Sequence, residues 1–171
     1  PPSKRMHNEM IPDDVPSKLY LDLEFPRGTN SGLDERVLVD MVVARVASML
    51  AMPDLRPLEL DTSNETKASR HLVFPVVFSS KAHVGRFVTR LVQELRAAHA
   101  PTTKEGSVCG LDETVYDKDR LFRLYGSHKM KSPTRKLVLL GAADPTTVDR
   151  DALMRSFVSV FAEDEVVRAP D

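Results

Sequence analysis

From Lys18 to Phe25 apolar and polar residues alternate without a break. Leu19, Leu21, Leu23 and Phe25 point one way and Tyr20, Asp22 and Glu24 the other, the two-residue period of a half-buried strand. The polar, proline-flanked stretch Pro1–Pro16 before it predicts an irregular, extended lead-in. After the turn-rich Pro26–Gly32, Ser31 with Asp34 matches a capping-box start for a helix over about Leu33–Leu50. Its apolar stripe is Leu38, Met41, Val42, Val46 and Met49. Leu58–Asp61 predicts a short strand and Arg70–Phe78 a longer one, where Pro75 requires an edge position or a bulge. Ala82–His99 predicts a second helix burying Val84, Phe87, Val88, Leu91 and Leu95.

Beyond the loop Pro101–Gly110 the pattern weakens. Thr114–Leu124 alternates imperfectly and predicts short strands about a turn at Asp117–Asp119. Lys136–Leu140 is a β-rich run, and a last helix starts near Asp149 with Leu153, Phe157 and Phe161 inward. The order β-α-β-β-α-β predicts an α+β domain over residues 18–171. In it an RRM-like split βαβ sheet is backed by helices on one face and carries an added β hairpin. The other sheet face would carry Asp22, Glu24, Ser69 and His71.

The 171 residues, 42% of them hydrophobic, suffice for one core. A net charge of −1 excludes a globally basic nucleic-acid coat, but 24 Lys and Arg leave room for a local basic groove. Lys81, Arg86 and Arg90 are candidates for such a groove, against the alternative of a solvated helix face. Cys109 is the only cysteine, which rules out an internal disulfide or a cysteine-rich zinc site and fits a reducing compartment. No apolar run approaches the roughly 18 residues of a membrane span, so no membrane partner is expected. The chain reads as a piece of a longer protein.

Three clusters carry the candidate chemistry. Asp22 and Glu24 project from one strand face, where two like charges repel unless a cation or proton lies between them. Oxygen donors of this kind suit Mg²⁺ or Mn²⁺ completing its shell with phosphate oxygens, although acids on a solvated sheet face are also ordinary. Ser69 and His71 repeat the spacing on a second strand, with Lys67 beside them, as donors to phosphate; a histidine satisfied by a backbone carbonyl is the alternative. Ser79 to His83 also holds serine and histidine, but it straddles a helix start, with Ser80 as the cap. His7, His99 and His128 have no partner spacing and are expected at the surface. The third cluster, Asp112–Lys129, is an exposed hairpin on one reading. On the other it supplies Asp112 as a third metal ligand and Arg123 and Lys129 as clamps on a triphosphate. With only seven glycines and no Walker-type loop, P-loop chemistry is out.

At these residues the sequence resembles the eukaryotic primase-polymerases of the archaeo-eukaryotic primase superfamily. The matching segments are Leu19–Phe25 (LYLDLEF), Leu60–Phe74 (LDTSNETKASRHLVF), His83–Phe87 (HVGRF) and Asp112–Lys129 (DETVYDKDRLFRLYGSHK). They resemble the family's DxE, SxH and D-x-x-V-Y…R-x-F-R…S-x-K motifs in order and separation. The resemblance implies a two-metal nucleotidyltransferase, a DNA-directed primase/polymerase adding nucleotides on a single-stranded DNA template, with a role in repriming or damage tolerance during replication. It implies that Asp22, Glu24 and Asp112 bind Mg²⁺ or Mn²⁺, that Lys67, Ser69, His71, Arg123 and Lys129 hold the incoming nucleotide, and that Arg120 supports this pocket. Implied partners are a DNA template-primer, nucleoside triphosphates and, through parts outside these residues, a single-strand DNA-binding protein, in the nucleus or mitochondrion.

The sequence departs from that pattern at Asp119, where the family usually has asparagine, at Glu113, a competing ligand beside Asp112, and in the short Pro101–Gly110 segment. No Cys/His zinc module occurs in it, so nucleotide addition is expected before primer initiation. Two other classes remain open from the residues alone: a non-catalytic RRM-like nucleic-acid-binding domain and a metal-dependent phosphoesterase.

Overall fold

The computed structural model describes residues 7–117, 121–129, 132–142, 144 and 147–169. Strands β1 (Asn8–Met10) and β2 (Ser17–Pro26) precede helix α1 (Glu35–Met49); β3 (Leu58–Asp61) and β4 (Lys67–Phe78) precede α2 (Lys81–Ala97). A 3-10 turn at Glu113–Tyr116 leads to β5 (Leu121–Arg123), β6 (His128–Lys129), β7 (Ser132–Lys136) and β8 (Val138–Leu139). Helix α3 (Arg150–Ser156) and β9 (Val167–Arg168) close the described part. The architecture is mixed α and β with antiparallel ladders.

The main sheet runs β2-β4-β3-β8, and β9 adds in parallel to β4. β4 is antiparallel to both β2 and β3, so β2, α1 and β3 form a crossover with β4 inserted between the two parallel strands. On the free side of β2, Glu24 N donates to Gly110 O (2.8 Å) and Asp112 N to Asp22 O (2.9 Å). The segment 110–112 therefore lies where a further strand would sit.

Pro75 is accommodated inside a central strand, not at an edge. The β2–β4 register slips between Lys18 and Tyr20, whose partners are Val77 and Val73. On the other side β3 reaches only Val73 and β9 begins at Val76. The missing N–H of proline thus falls in a bulge on one side and a gap between two strands on the other.

One buried cluster runs from Ile11 through β2, β4 and both long helices to Val158. α1 starts later than the capping-box pattern suggested: Asp34 is the N-cap, accepting from Arg36 N and Val37 N. Its buried stripe is Leu38, Val39, Val42, Val43, Val46 and Ala47, so Met41 and Met49 lie on its flank. Ser80 caps α2, accepting from His83 N at 3.2 Å. Phe87 is only half-buried, packing 5.0 Å from the Phe78 ring.

Four other expectations are corrected. Residues 8–10 of the lead-in form β1, which pairs antiparallel with β5, and Ile11 enters the core. Apolar alternation could not signal this, because a three-residue strand lies below any period. Glu113–Tyr116 is a 3-10 turn and not a strand, since Asp112 caps it through Thr114 N. α3 ends at Ser156, leaving Phe157 and Phe161 half-buried beyond it while Ala152 and Val158 face inward. Nor do the helices all lie on one face: Lys18, on the Tyr20 side of β2, donates through Nζ to Arg155 O of α3 at 3.2 Å.

Candidate active site

The β2–β4 register sets Asp22 opposite His71, Glu24 opposite Ser69 and Pro26 opposite Lys67. Because side chains alternate along each strand, these groups share one sheet face. Tyr20 shares it too but is only 1% exposed. Its ring lies 5.1 Å from that of Tyr116 and 4.8 Å from that of Phe122, and Tyr116 Oη donates to Tyr20 O (2.6 Å). The segments 113–116 and 121–123 thus roof one end of this face, closing over apolar surface that the alternation alone left open.

Beside that roof lies a cavity of about 450 Å³ lined by Asn8, Asp22, His71, Val115, Leu121, Phe122, Arg123, His128 and Lys129. His71 Nε2 is 3.8 Å from Asp22 Oδ2. Burial, then the positive charges of Arg123 and Lys129, push the imidazole down to about 3. It is therefore neutral at physiological pH, and the contact is not a salt bridge. Burial, then repulsion from Glu24 and Asp112, pushes the Asp22 carboxyl up to about 7, against the pull of Lys129 and Arg123. Asp22 Oδ1, Ser69 Oγ and His71 Nδ1 are buried without a hydrogen-bond partner. Native interiors rarely leave three such atoms together, and an absent ligand or ion is a standard cause.

The cations crowd the same face. Arg123 is 8% exposed and burial lowers its pKa, with Arg135 of β7 adding to that effect. Its Nη1 donates a long bond to Thr62 Oγ1 (3.5 Å). Burial also lowers Lys129. Glu24 is held by Lys67 through Oε1 and, at 3.6 Å, by Lys129 through Oε2. Asp112 stands at the free edge of β2 next to Asp22, its carboxylate accepting from Thr114 N and Thr114 Oγ1, each at 2.8 Å.

The structure therefore brings Asp22, His71, Arg123 and Lys129 to one cavity, with Glu24, Ser69 and Lys67 along the same face and Asp112 at its border. Among the described residues no three Asp, Glu, His or Cys side chains converge as a ready metal cluster. The donor set is nonetheless hard carboxylate oxygen, and the unpartnered Asp22 Oδ1 suits a divalent cation. Arg120 and Asp119 lie outside the described residues. Glu113 begins the 3-10 turn and is exposed.

Several residues here escaped the sequence reading. His128, expected at the surface, is 6% exposed and lines the cavity; its place follows from the β6–β7 hairpin folding back. Asn8 enters because β1 sets it opposite Arg123. The Phe122 ring lies 4.5 Å from that of His71. Lys81 leaves the list of groove cations: it is 2% exposed, paired to Asp13 and donating to Ile11 O (3.3 Å) and Asp117 O (3.2 Å). Arg86 and Arg90 are exposed on α2. Among the described residues no helix is long and apolar enough to cross a membrane.

No protein-family model matches the chain. Curated proteins do. The cattle protein is 38% identical over 96 residues, covering 50% of this chain and 17% of its own length. The human protein is 35% identical over 96 residues, with 50% and 17% covered. The zebrafish protein is 28% identical over 167 residues, covering 71% of this chain and 32% of its own length. All three carry the name DNA-directed primase/polymerase protein. The chain thus spans between about a sixth and a third of these relatives.

Proposed function

We propose, from the premise that this chain is related to the DNA-directed primase/polymerase proteins, that it is a metal-dependent nucleotidyltransferase module extending a primer on a single-stranded DNA template. The observation that carries the reading is the cross-strand pair Asp22–His71, with its unpartnered polar atoms, in a cavity shared with Arg123 and Lys129. A phosphoesterase needs the carboxylates but not a buried guanidinium and a lysine beside a neutral imidazole. A base-stacking RRM-like reader needs exposed aromatics on the sheet, and Tyr20 is roofed over. The β2-α1-β3 crossover around β4 is compatible with an RRM-like core.

In this reading Asp22, Glu24 and Asp112 hold Mg²⁺ or Mn²⁺. Ions held there would supply Lewis acidity, easing deprotonation of a primer 3′-hydroxyl and offsetting the charge of the departing pyrophosphate. Arg123, Lys129 and Lys67 neutralise the triphosphate. His71, neutral and cradled by Phe122, donates or accepts one hydrogen bond without adding charge. Ser69 offers its unpartnered hydroxyl to a phosphate oxygen. Phe122 and Val115 exclude water from one side of the cavity, which strengthens every one of these contacts. Affinity for DNA would come mainly from phosphate contacts and weaken with salt. Roles in repriming and damage tolerance, a single-strand DNA-binding partner and a nuclear or mitochondrial setting belong to the same reading, as does treating residues 18–171 as one catalytic module.

The test is extension of a labelled primer–template by the 171-residue chain with Mn²⁺ or Mg²⁺. Metal-dependent addition that disappears in Asp22→Ala supports the reading. Tight nucleotide binding without any extension would move the chain to a binding role.

A further inference from the structure

Glu24 is engaged in a way its expected role does not require. Each carboxylate oxygen is taken by a different lysine: Oε1 by Lys67 at the start of β4, Oε2 by Lys129 on β6, at 3.6 Å. Among the described residues neither lysine has another acidic partner. The two cations come from different segments, one across the β2–β4 ladder and one from the hairpin bordering the cavity. All three side chains are partly exposed, at 36% for Glu24, 27% for Lys67 and 43% for Lys129. Ion pairs of that exposure are weak and readily traded for a stronger anion. A triphosphate is such an anion, and both lysines stand at the face it would occupy.

We propose that Glu24 and the triphosphate compete for Lys67 and Lys129, so that nucleotide binding is what releases the Glu24 carboxylate for a divalent ion. This rests on the nucleotidyltransferase reading above and adds an order to it. The carboxylate acts as a placeholder phosphate until substrate arrives, and the metal shell is completed only with substrate in place. Linkage makes the coupling reciprocal: whatever ion Glu24 binds draws it off the lysines and favours the nucleotide in turn. Arg123 feels the Glu24 charge through space but makes no ion pair with it, its Nη1 donating instead to Thr62 Oγ1.

The competition makes a prediction that a plain metal ligand does not. Binding of a fluorescent adenosine triphosphate analogue is followed by anisotropy in EDTA, where no ion contributes. Glu24→Gln should bind it about three- to tenfold tighter than the parent, the gain from freeing two exposed pairs. The same variant should lose primer extension when Mn²⁺ is restored. Asp112→Asn removes an equal charge from the same border without touching either lysine, and should shift the metal-free affinity less than about twofold by through-space repulsion alone. In a Lys67→Ala/Lys129→Ala background the Glu24→Gln gain should vanish. Equal affinities for Glu24→Gln and parent overturn the proposal, as does an equal gain from Asp112→Asn or a gain that survives loss of both lysines. If the parent binds the analogue with Mn²⁺ while Glu24→Gln brings no gain in EDTA, only this inference falls. If the parent fails to bind it even with Mn²⁺, the nucleotidyltransferase reading falls with it.

Discussion

Asp22 and His71 face each other across the β2–β4 ladder with Oδ2 and Nε2 3.8 Å apart, and each keeps one further buried polar atom unpartnered. Their shared burial moves the two groups in opposite senses. The carboxyl is raised to about 7 and the imidazole lowered to about 3, so each is held toward its neutral form. A pair pushed toward its neutral forms by desolvation is poised to gain charge when an ion arrives, and the consequences can be measured.

Asp22 works against stability. Its carboxyl sits at about 7 in the fold against an ordinary 3.8, so the folded state holds a proton that the unfolded chain releases. Stability contributed by this group is present below pH 4 and is lost as pH rises through 7. Asp22→Asn should therefore stabilise the fold at pH 8 by on the order of 1–3 kcal/mol, read as a raised melting temperature, and the gain should shrink toward pH 4. Primer extension by Asp22→Ala should fall at least about a thousandfold with the circular dichroism spectrum unchanged. Normal extension by that variant would remove Asp22 from the site.

Lys129→Ala should chiefly raise the nucleotide KM, by about five- to fiftyfold, because it removes one charge-assisted contact to phosphate. Steady-state kinetics over a nucleotide series separates KM from kcat. An unchanged KM would remove Lys129 from the clamp.

Glu9 joins the first strand to the C-terminal part of the fold. On β1, opposite Phe122, it accepts from Val158 N and Ser159 N, both at 2.7 Å, and from Ser159 Oγ at 2.6 Å. Glu9→Ala leaves buried amides unpaired and should cost about 2–3 kcal/mol in urea unfolding. β1 also sets Asn8 beside Arg123 in the cavity wall, so nucleotide KM should rise together with the loss of stability. A purely local role would leave KM unmoved.

Gly126, just before Ser127-His128-Lys129, has φ +78°, and a Cβ there would lie 2.5 Å from Val148 Cγ2. Gly126→Ala meets both the left-handed backbone penalty and a clash, so it should destabilise by about 2–4 kcal/mol. Denaturant unfolding of the variant, with the midpoint compared at equal slope, measures it.

The elements legible in the sequence were those with long periods. β2, β4 and the two long helices announce themselves because a buried face must repeat every two or about 3.6 residues over several periods. The same alternation put Asp22 with Glu24, and Ser69 with His71, on common faces. It could not say that Asp22 would stand opposite His71, because register belongs to the pairing of two strands and a one-residue slip would have turned one pair to the other face. Short pieces were illegible for a related reason. β1, the turn at Glu113–Tyr116 and the hairpin carrying His128 are each too brief to show a period, and they form because distant partners satisfy their backbone groups. The amino-acid sequence by itself thus determined which residues bring chemistry and which strands carry them. The tertiary structure decided which become buried, which carboxylate is held by lysines, and that the polar lead-in supplies a wall of the cavity, because burial and electrostatic coupling arise only where separate segments exclude water together.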